Sequence, residues 1–184
     1  MKAVSTELSK LVTLRLGTVD DLATLIDIDN DASTLFEDAG MFLDLPENHE
    51  FPAAEHRCWQ ECLAARTTLF ATDRSAASIG FAAVGRKDCG AYLAQIAVRR
   101  NFMGLGIGGA LLESAAQLAA ESGAREFWLT TYGHLAWNRP FYERHGFVVM
   151  PDTACSPGLQ EVQALEKKWL PLPEQRVVMR RILR

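Results

Sequence analysis

Residues 96–112 read Ile96-Ala-Val-Arg-Arg-Asn-Phe-Met-Gly-Leu-Gly-Ile-Gly-Gly-Ala-Leu-Leu112. A strand ends at Val98, a basic turn follows, and a helix opens on glycines 104, 106, 108 and 109. Glycine removes side chains that would hold a ligand off the backbone, so N–H groups there can approach oxyanions closely. The start of a helix adds unpaired donors and the positive end of a dipole. Arg99 and Arg100 place further charge beside it. The segment predicts a cradle for a diphosphate, or, more plainly, a glycine turn that lets a helix pack closely on a strand.

Two other phosphate sites use similar letters. Gly104-x-Gly106-x-x-Gly109 satisfies the dinucleotide pattern, and Glu126 lies 17 residues beyond Gly109, close to where a ribose-binding acid is wanted. Against this, Arg99 to Met103 separate the strand from the glycines, and antiparallel strands precede the unit instead of a βαβ series. A P-loop is excluded because no Gly-Lys-Ser/Thr follows.

Working outward, periodicity assigns the remaining elements. Leu11–Leu16 alternates as a first strand, and Thr18 caps a helix that runs to about Phe36. Leu22, Leu25, Ile26 and Asp29 fall at helical spacing, which gives that helix a buried face with a carboxylate near its edge. An acidic loop over 37–52 leads to a second helix over 53–67. Residues 68–72, 78–86 and 91–98 read as an antiparallel meander, and 106–122 as a helix ended by Gly123. A strand over 126–131, a short helix over 138–145 and a strand over 147–150 follow. A helix over 158–169 and a last strand over 176–183 complete the chain. The fold class is α/β, a mixed and largely antiparallel sheet flanked by about four helices, in one domain over residues 11–184 with residues 1–10 as an N-terminal extension.

The totals agree with that size of core: 184 residues, 48% of them hydrophobic, can fill one globular domain. A net charge of −4 gives no pull toward nucleic acid or anionic membrane. No stretch approaches the ~20 apolar residues of a membrane span, and the N-terminus lacks the apolar run of a signal peptide. The expectation is a cytoplasmic protein. Cys58, Cys62, Cys89 and Cys155 form no metal-ligand spacing; they read as free thiols, and no metal is expected.

Residues 98–112 resemble the coenzyme A-binding motif of the GNAT N-acetyltransferase superfamily, (Q/R)xxGxG(A/G) followed by an aliphatic helix. Gly106 and Gly108 take its two signature glycines, and Met103 stands at the Gln/Arg position. Trp137-Asn-Arg-Pro-Phe-Tyr-Glu-Arg-His-Gly-Phe147 resembles the second half of the same signature. The two motifs stand in the family's order, joined by one helix and one strand.

The resemblance implies acetyl-CoA as co-substrate. It places the pyrophosphate on Met103, Gly104, Leu105, Gly106, Ile107, Gly108 and Gly109. The acetyl carbonyl and pantetheine fall on the backbone of Ile96, Ala97 and Val98, where the strand splays from its neighbour. Asn138 either reaches the pantetheine arm or caps the helix after it. Tyr142 takes the position of the general acid: a phenol with a pKa near 10 can protonate a departing thiolate. Its alternative is a packed aromatic beside Phe141 and Phe147.

Many relatives carry a catalytic glutamate near Gln95, where glutamine cannot accept a proton. His134 is a candidate for that proton or a surface histidine; Asp29, Glu37 and Asp38 belong to the acceptor region, and no base is assigned. Glu37, Asp38, Asp44, Glu47 and Glu50 make the 37–52 loop either a lure for a cationic acceptor or a solvated loop. Phe36, Phe42, Phe51 and Trp59 either line an acceptor pocket or form core. The function expected is N-acetyl transfer to a primary amine of a small molecule or peptide; the alternative is a coenzyme A-binding regulatory module without turnover. No nucleic acid or membrane partner is expected, and a homodimer is possible through exposed sheet edges.

Overall fold

The computed structural model describes residues 12–43, 45–46, 49–88 and 90–183. The N-terminal extension, Leu11, Asp44, Glu47 and Cys89 lie outside them. Seven strands form one sheet: β1 Thr13–Leu16, β2 Thr68–Thr72, β3 Ser78–Lys87, β4 Gly90–Val98, β5 Glu126–Tyr132, β6 Val148–Met150 and β7 Arg176–Ile182. Their order is β1-β2-β3-β4-β5-β7-β6. All neighbours are antiparallel except β4 and β5. The last strand therefore does not close the sheet as its position in the chain suggests. It inserts between β5 and β6, leaving the short β6 as an edge.

Five α-helices accompany the sheet: α1 Leu22–Asp38, α2 Glu50–Ala64, α3 Ile107–Glu121, α4 Arg139–Arg144 and α5 Pro157–Trp169. The expected second helix is displaced by three residues, because His49 caps it through Nδ1, which accepts the Phe51 N–H (3.2 Å). At the first helix, a 3₁₀ turn over Val19–Asp21 precedes α1. Asp21 accepts the Thr18 N–H (2.8 Å) and pairs with Arg15 (2.7 Å), which holds its carboxyl down at about 2.

Each sheet face buries its own core. On one side α3 lays Leu111, Leu112, Ala115 and Ala119 against Ala82, Leu93, Phe127 and Met179. On the other, α1 and α2 bring Leu25, Ile28, Trp59 and Leu63 onto Phe70, Phe81 and Ala97. Alternating strand residues feed the two faces in turn. Phe51 and Trp59 are thus core, whereas Phe42 is 67% exposed. Cys58 and Cys62 are free thiols. Among the described residues no helix is long and apolar enough to cross a membrane.

Leu111 is fully buried against the sheet, so Leu111→Ala should cost about 2–5 kcal/mol by denaturant unfolding. Leu105→Ala, at a side chain 54% exposed, should stay within about 0.5 kcal/mol.

Candidate active site

β4 and β5 run side by side for only two pairs, Ala91↔Phe127 and Tyr92↔Trp128. Ala94 is an extra residue in β4, because Gln95 pairs with Ala83 and Leu93 with Val84. A bulge sharpens strand twist, and beyond it β4 departs from β5. Arg99 N–H donates to the Ile79 carbonyl (2.8 Å). By the alternation of an antiparallel ladder, Ile96 and Val98 then turn their peptide groups away from β3, onto the open edge.

The glycine turn lies at the end of that edge. Gly104 and Gly106 both have left-handed backbone, with φ of +78° and +82°, which disfavours any residue with a Cβ. Gly106 is the N-cap of α3, and no side chain caps it. The first intrahelical bond runs from Ala110 N–H to the Gly106 carbonyl (3.1 Å). The amides of Ile107, Gly108 and Gly109 therefore lack a carbonyl partner within the helix. This is the donor set a diphosphate requires. Gly109 has a packing role as well: a Cβ there would come within 3.1 Å of His145.

The charged and polar neighbours of the turn are committed elsewhere. Arg99 pairs with Asp27 (2.5 Å), and Arg100 with Asp38 and Thr34, so both arginines bind α1 rather than adding charge to the cradle. Met103 packs against both cores. Asn138 is the N-cap of α4, but its side chain makes no capping hydrogen bond.

Tyr142 comes from α4, which is locked in place through its end. His145 pairs with Glu113 of α3 (2.8 Å), and Arg181 of β7 binds the same carboxylate (2.9 Å). Tyr142 is buried beside Phe141 and Phe147 (5.1 and 5.8 Å between rings), so the packing role is met. Its hydroxyl makes no hydrogen bond to a described residue, and burial pushes its pKa up to about 12 against a lowering influence from Arg176.

Arg176 of β7 lies over β5, with its guanidinium on the Tyr132 ring (4.7 Å). It binds Glu166 (2.5 Å) and Thr130 (3.1 Å), and Thr130 meets the Tyr92 hydroxyl (3.1 Å). Two carboxyls at the gap between β4 and β5 lack a cation. Asp29 accepts a hydrogen bond from Gln95 Nε2 (2.9 Å), and Glu55 of α2 has no hydrogen bond or ion pair among the described residues. Both are half-buried. Burial pushes Asp29 up to about 7. Burial, then repulsion from Asp29 and Glu166, pushes Glu55 up to about 8.

Elsewhere the sequence candidates stand apart. Asp38 is held by Arg100, and Glu50 binds Lys168 (2.8 Å) and Trp169 (2.9 Å). His134 is exposed against the Tyr132 ring. Phe36 packs on Tyr132 and Trp137 (6.0 and 6.4 Å). Glu55 escaped the sequence reading, although a signal existed: it falls in helical register with Phe51, Trp59 and Cys62, a carboxylate inside an apolar stripe.

A parted strand pair beside an uncapped, glycine-opened helix is matched by comparison. The profile of the acetyltransferase (GNAT) family matches residues 27–147. The chain belongs to the GNAT acetyltransferase family. It is an acyltransferase dependent on acetyl-CoA.

Solved GNAT-fold structures agree in architecture. The PaiA N-acetyltransferase of Thermoplasma acidophilum, in complex with coenzyme A, superposes with a TM-score of 0.64 at 18% identity, over 93% of this chain and 98% of that one. A GNAT acetyltransferase of Staphylococcus aureus Mu50 gives 0.69 at 12% identity, over 94% and 99%. Ard1 of Thermoplasma volcanium gives 0.63 at 18%, over 94% and 98%.

The raised carboxyls set a pH signature of folding. Unfolded Asp and Glu titrate near 4, so between pH ~4 and ~7 to 8 the folded chain holds protons the unfolded chain has lost. Stability contributed by Asp29 and Glu55 falls as pH rises through that window. Asp29→Asn should therefore become more stable than wild type by about 1–2 kcal/mol as pH rises from 5 to 8, read from denaturant midpoints.

Proposed function

We propose that this acetyltransferase moves the acetyl group of acetyl-CoA to a primary amine of a small molecule or peptide by direct attack, with Tyr142 as general acid. The observation that carries the reading is the parting of β4 from β5 beside the uncapped start of α3. That geometry leaves two polar sets near each other: the Ile96 carbonyl and the Val98 peptide group on the open edge, and the amides of the glycine turn. The Ile96 N–H is held by Gln95 Oε1 (3.0 Å).

In this reading the glycine turn holds the pyrophosphate and Leu105 contributes backbone only, whereas the Met103 N–H is held by the Arg100 carbonyl (3.2 Å). The open edge at Ile96 and Val98 pairs with pantetheine and orients the thioester carbonyl, whereas Ala97, the third residue expected there, turns its peptide groups onto Phe81 of β3. Asn138, free of a capping role, binds the pantetheine arm. Acetyl-CoA supplies an activated acyl carbon and a thiolate leaving group. Tyr142 is protonated at neutral pH, since burial disfavours its anion, and gives that proton to the sulfur. Arg176, whose influence reaches the phenol, lowers the cost of the tyrosinate that remains.

A second reading, a coenzyme A-binding regulatory module with little turnover, draws support from one observation. Met103 is drawn into the core, and Arg99 and Arg100 are held by α1, so neither arginine of the turn assists the cradle.

Calorimetry should detect binding of coenzyme A to the wild-type chain, and thiol release with a panel of polyamines, aminoglycosides and peptide N-termini should detect turnover. Tyr142→Phe should lower kcat about 100-fold while leaving the Kd for acetyl-CoA within about twofold. Binding without turnover across the panel decides for the regulatory module, and absence of binding ends both readings.

A further inference from the structure

Gln95 touches both halves of the site. Its Oε1 accepts the Ile96 N–H (3.0 Å), on the open edge of β4, and its Nε2 donates to Asp29 Oδ1 (2.9 Å). One side-chain amide therefore spans from a peptide group facing the cofactor side to a carboxylate on α1. A glutamine in this place cannot take a proton, yet it holds a neighbour that can.

Asp29 differs from the carboxylates around it on the same helix. Asp27 is neutralised by Arg99 (2.5 Å), and Asp31 accepts the backbone N–H of Arg100 (2.8 Å). Asp29 has Gln95 alone as its hydrogen-bond partner among the described residues. Facing it from α2 is Glu55, which also feels Glu166, Arg176 and Cys58.

We propose that Asp29 is the proton acceptor for the attacking amine, acting directly or through one water, and that Gln95 is the positioning residue that aims it at the thioester. This rests on the acetyl-transfer reading above. The incoming ammonium gives one proton to the Asp29 carboxylate, and the freed lone pair forms the C–N bond. The C–S bond breaks with its electron pair on sulfur, which takes the Tyr142 proton. The second proton on nitrogen then restores the phenol through solvent, and Asp29 releases its proton to bulk. One proton is produced per amide formed, as the overall reaction requires.

The environment suits the task. An ordinary carboxyl near 4 is a weak base toward an ammonium near 10. Burial lifts Asp29 to about 7, where it is both ionised in useful amount at neutral pH and basic enough to accept.

The test is the pH dependence of kcat with acetyl-CoA and an amine panel, in wild type, Asp29→Asn, Gln95→Ala and Glu55→Gln. Wild type should show a rise with pH that inflects near 7. Asp29→Asn keeps the acceptor for the Gln95 hydrogen bond; it should lose at least about 100-fold in kcat and the inflection, with acetyl-CoA affinity within about twofold by calorimetry. Gln95→Ala removes a hydrogen bond that favours the carboxylate, so its inflection should move to higher pH. Glu55, pushed up to about 8, is still protonated where Asp29 titrates, so Glu55→Gln should leave the inflection near 7. A purely structural role for Gln95 would not move the inflection, and an inflection that belonged to Glu55 would vanish in Glu55→Gln while surviving in Asp29→Asn.

Asp29→Asn turning over at the wild-type rate with the inflection unmoved overturns the assignment and leaves acetyl transfer standing; so does a loss of activity that merely follows lost acetyl-CoA affinity. A wild type that binds acetyl-CoA and acetylates no amine in the panel overturns the acetyl-transfer reading, and this one with it.

Discussion

The separation of β4 from β5 is the constraint on which the rest depends. Two parallel strands that stay paired bury their peptide groups in each other and leave nothing for a ligand. Here the ladder stops after Tyr92↔Trp128, while β4 continues to Val98. Unpaired peptide groups are costly when buried, so the gap must be bounded by groups that tolerate water or a ligand. Arg176, Glu166, Thr130 and the Tyr92 hydroxyl bond one another across it. The Ala94 bulge turns β4 away from β5, and this polar cluster lies where the two strands part.

The same opening explains why carboxyls sit where they do. A buried ionised group without a partner is expensive, and its pKa moves to relieve the cost. Two acids with little exposure avoid that by pairing, Asp21 with Arg15 and Glu166 with Arg176. Asp29 and Glu55 do not, and both are held well above the usual carboxylate range. Stability is given up at the gap, and strain of this sort concentrates at sites that act on other molecules.

Rigidity around the gap comes from α3 and α4. Leu111 and its neighbours fix α3 on the sheet, and the His145–Glu113–Arg181 cluster ties α4 to it. Tyr142 is thereby carried on a six-residue helix that would not persist alone.

The sequence by itself determined the elements and the glycine turn. Alternation in residues 68–98, the apolar stripe of α3 and the spacing of Gly104 and Gly106 are local properties, set by backbone sterics and periodicity. Both halves of the cofactor motif are contiguous stretches and were legible for the same reason. Only the tertiary structure decided which charges remain free. Arg99 and Arg100 look like phosphate ligands in the chain, yet α1 claims them from residues 27 to 38. The insertion of β7 beside β5, and with it the placing of Arg176 over β5, also depends on which long-range pairing buries most apolar surface. Asp29, Glu55 and Gln95 are far apart in sequence and meet because α1, α2 and β4 share one core. No local pattern encodes a contact of that kind, since it arises from the packing of separately formed elements.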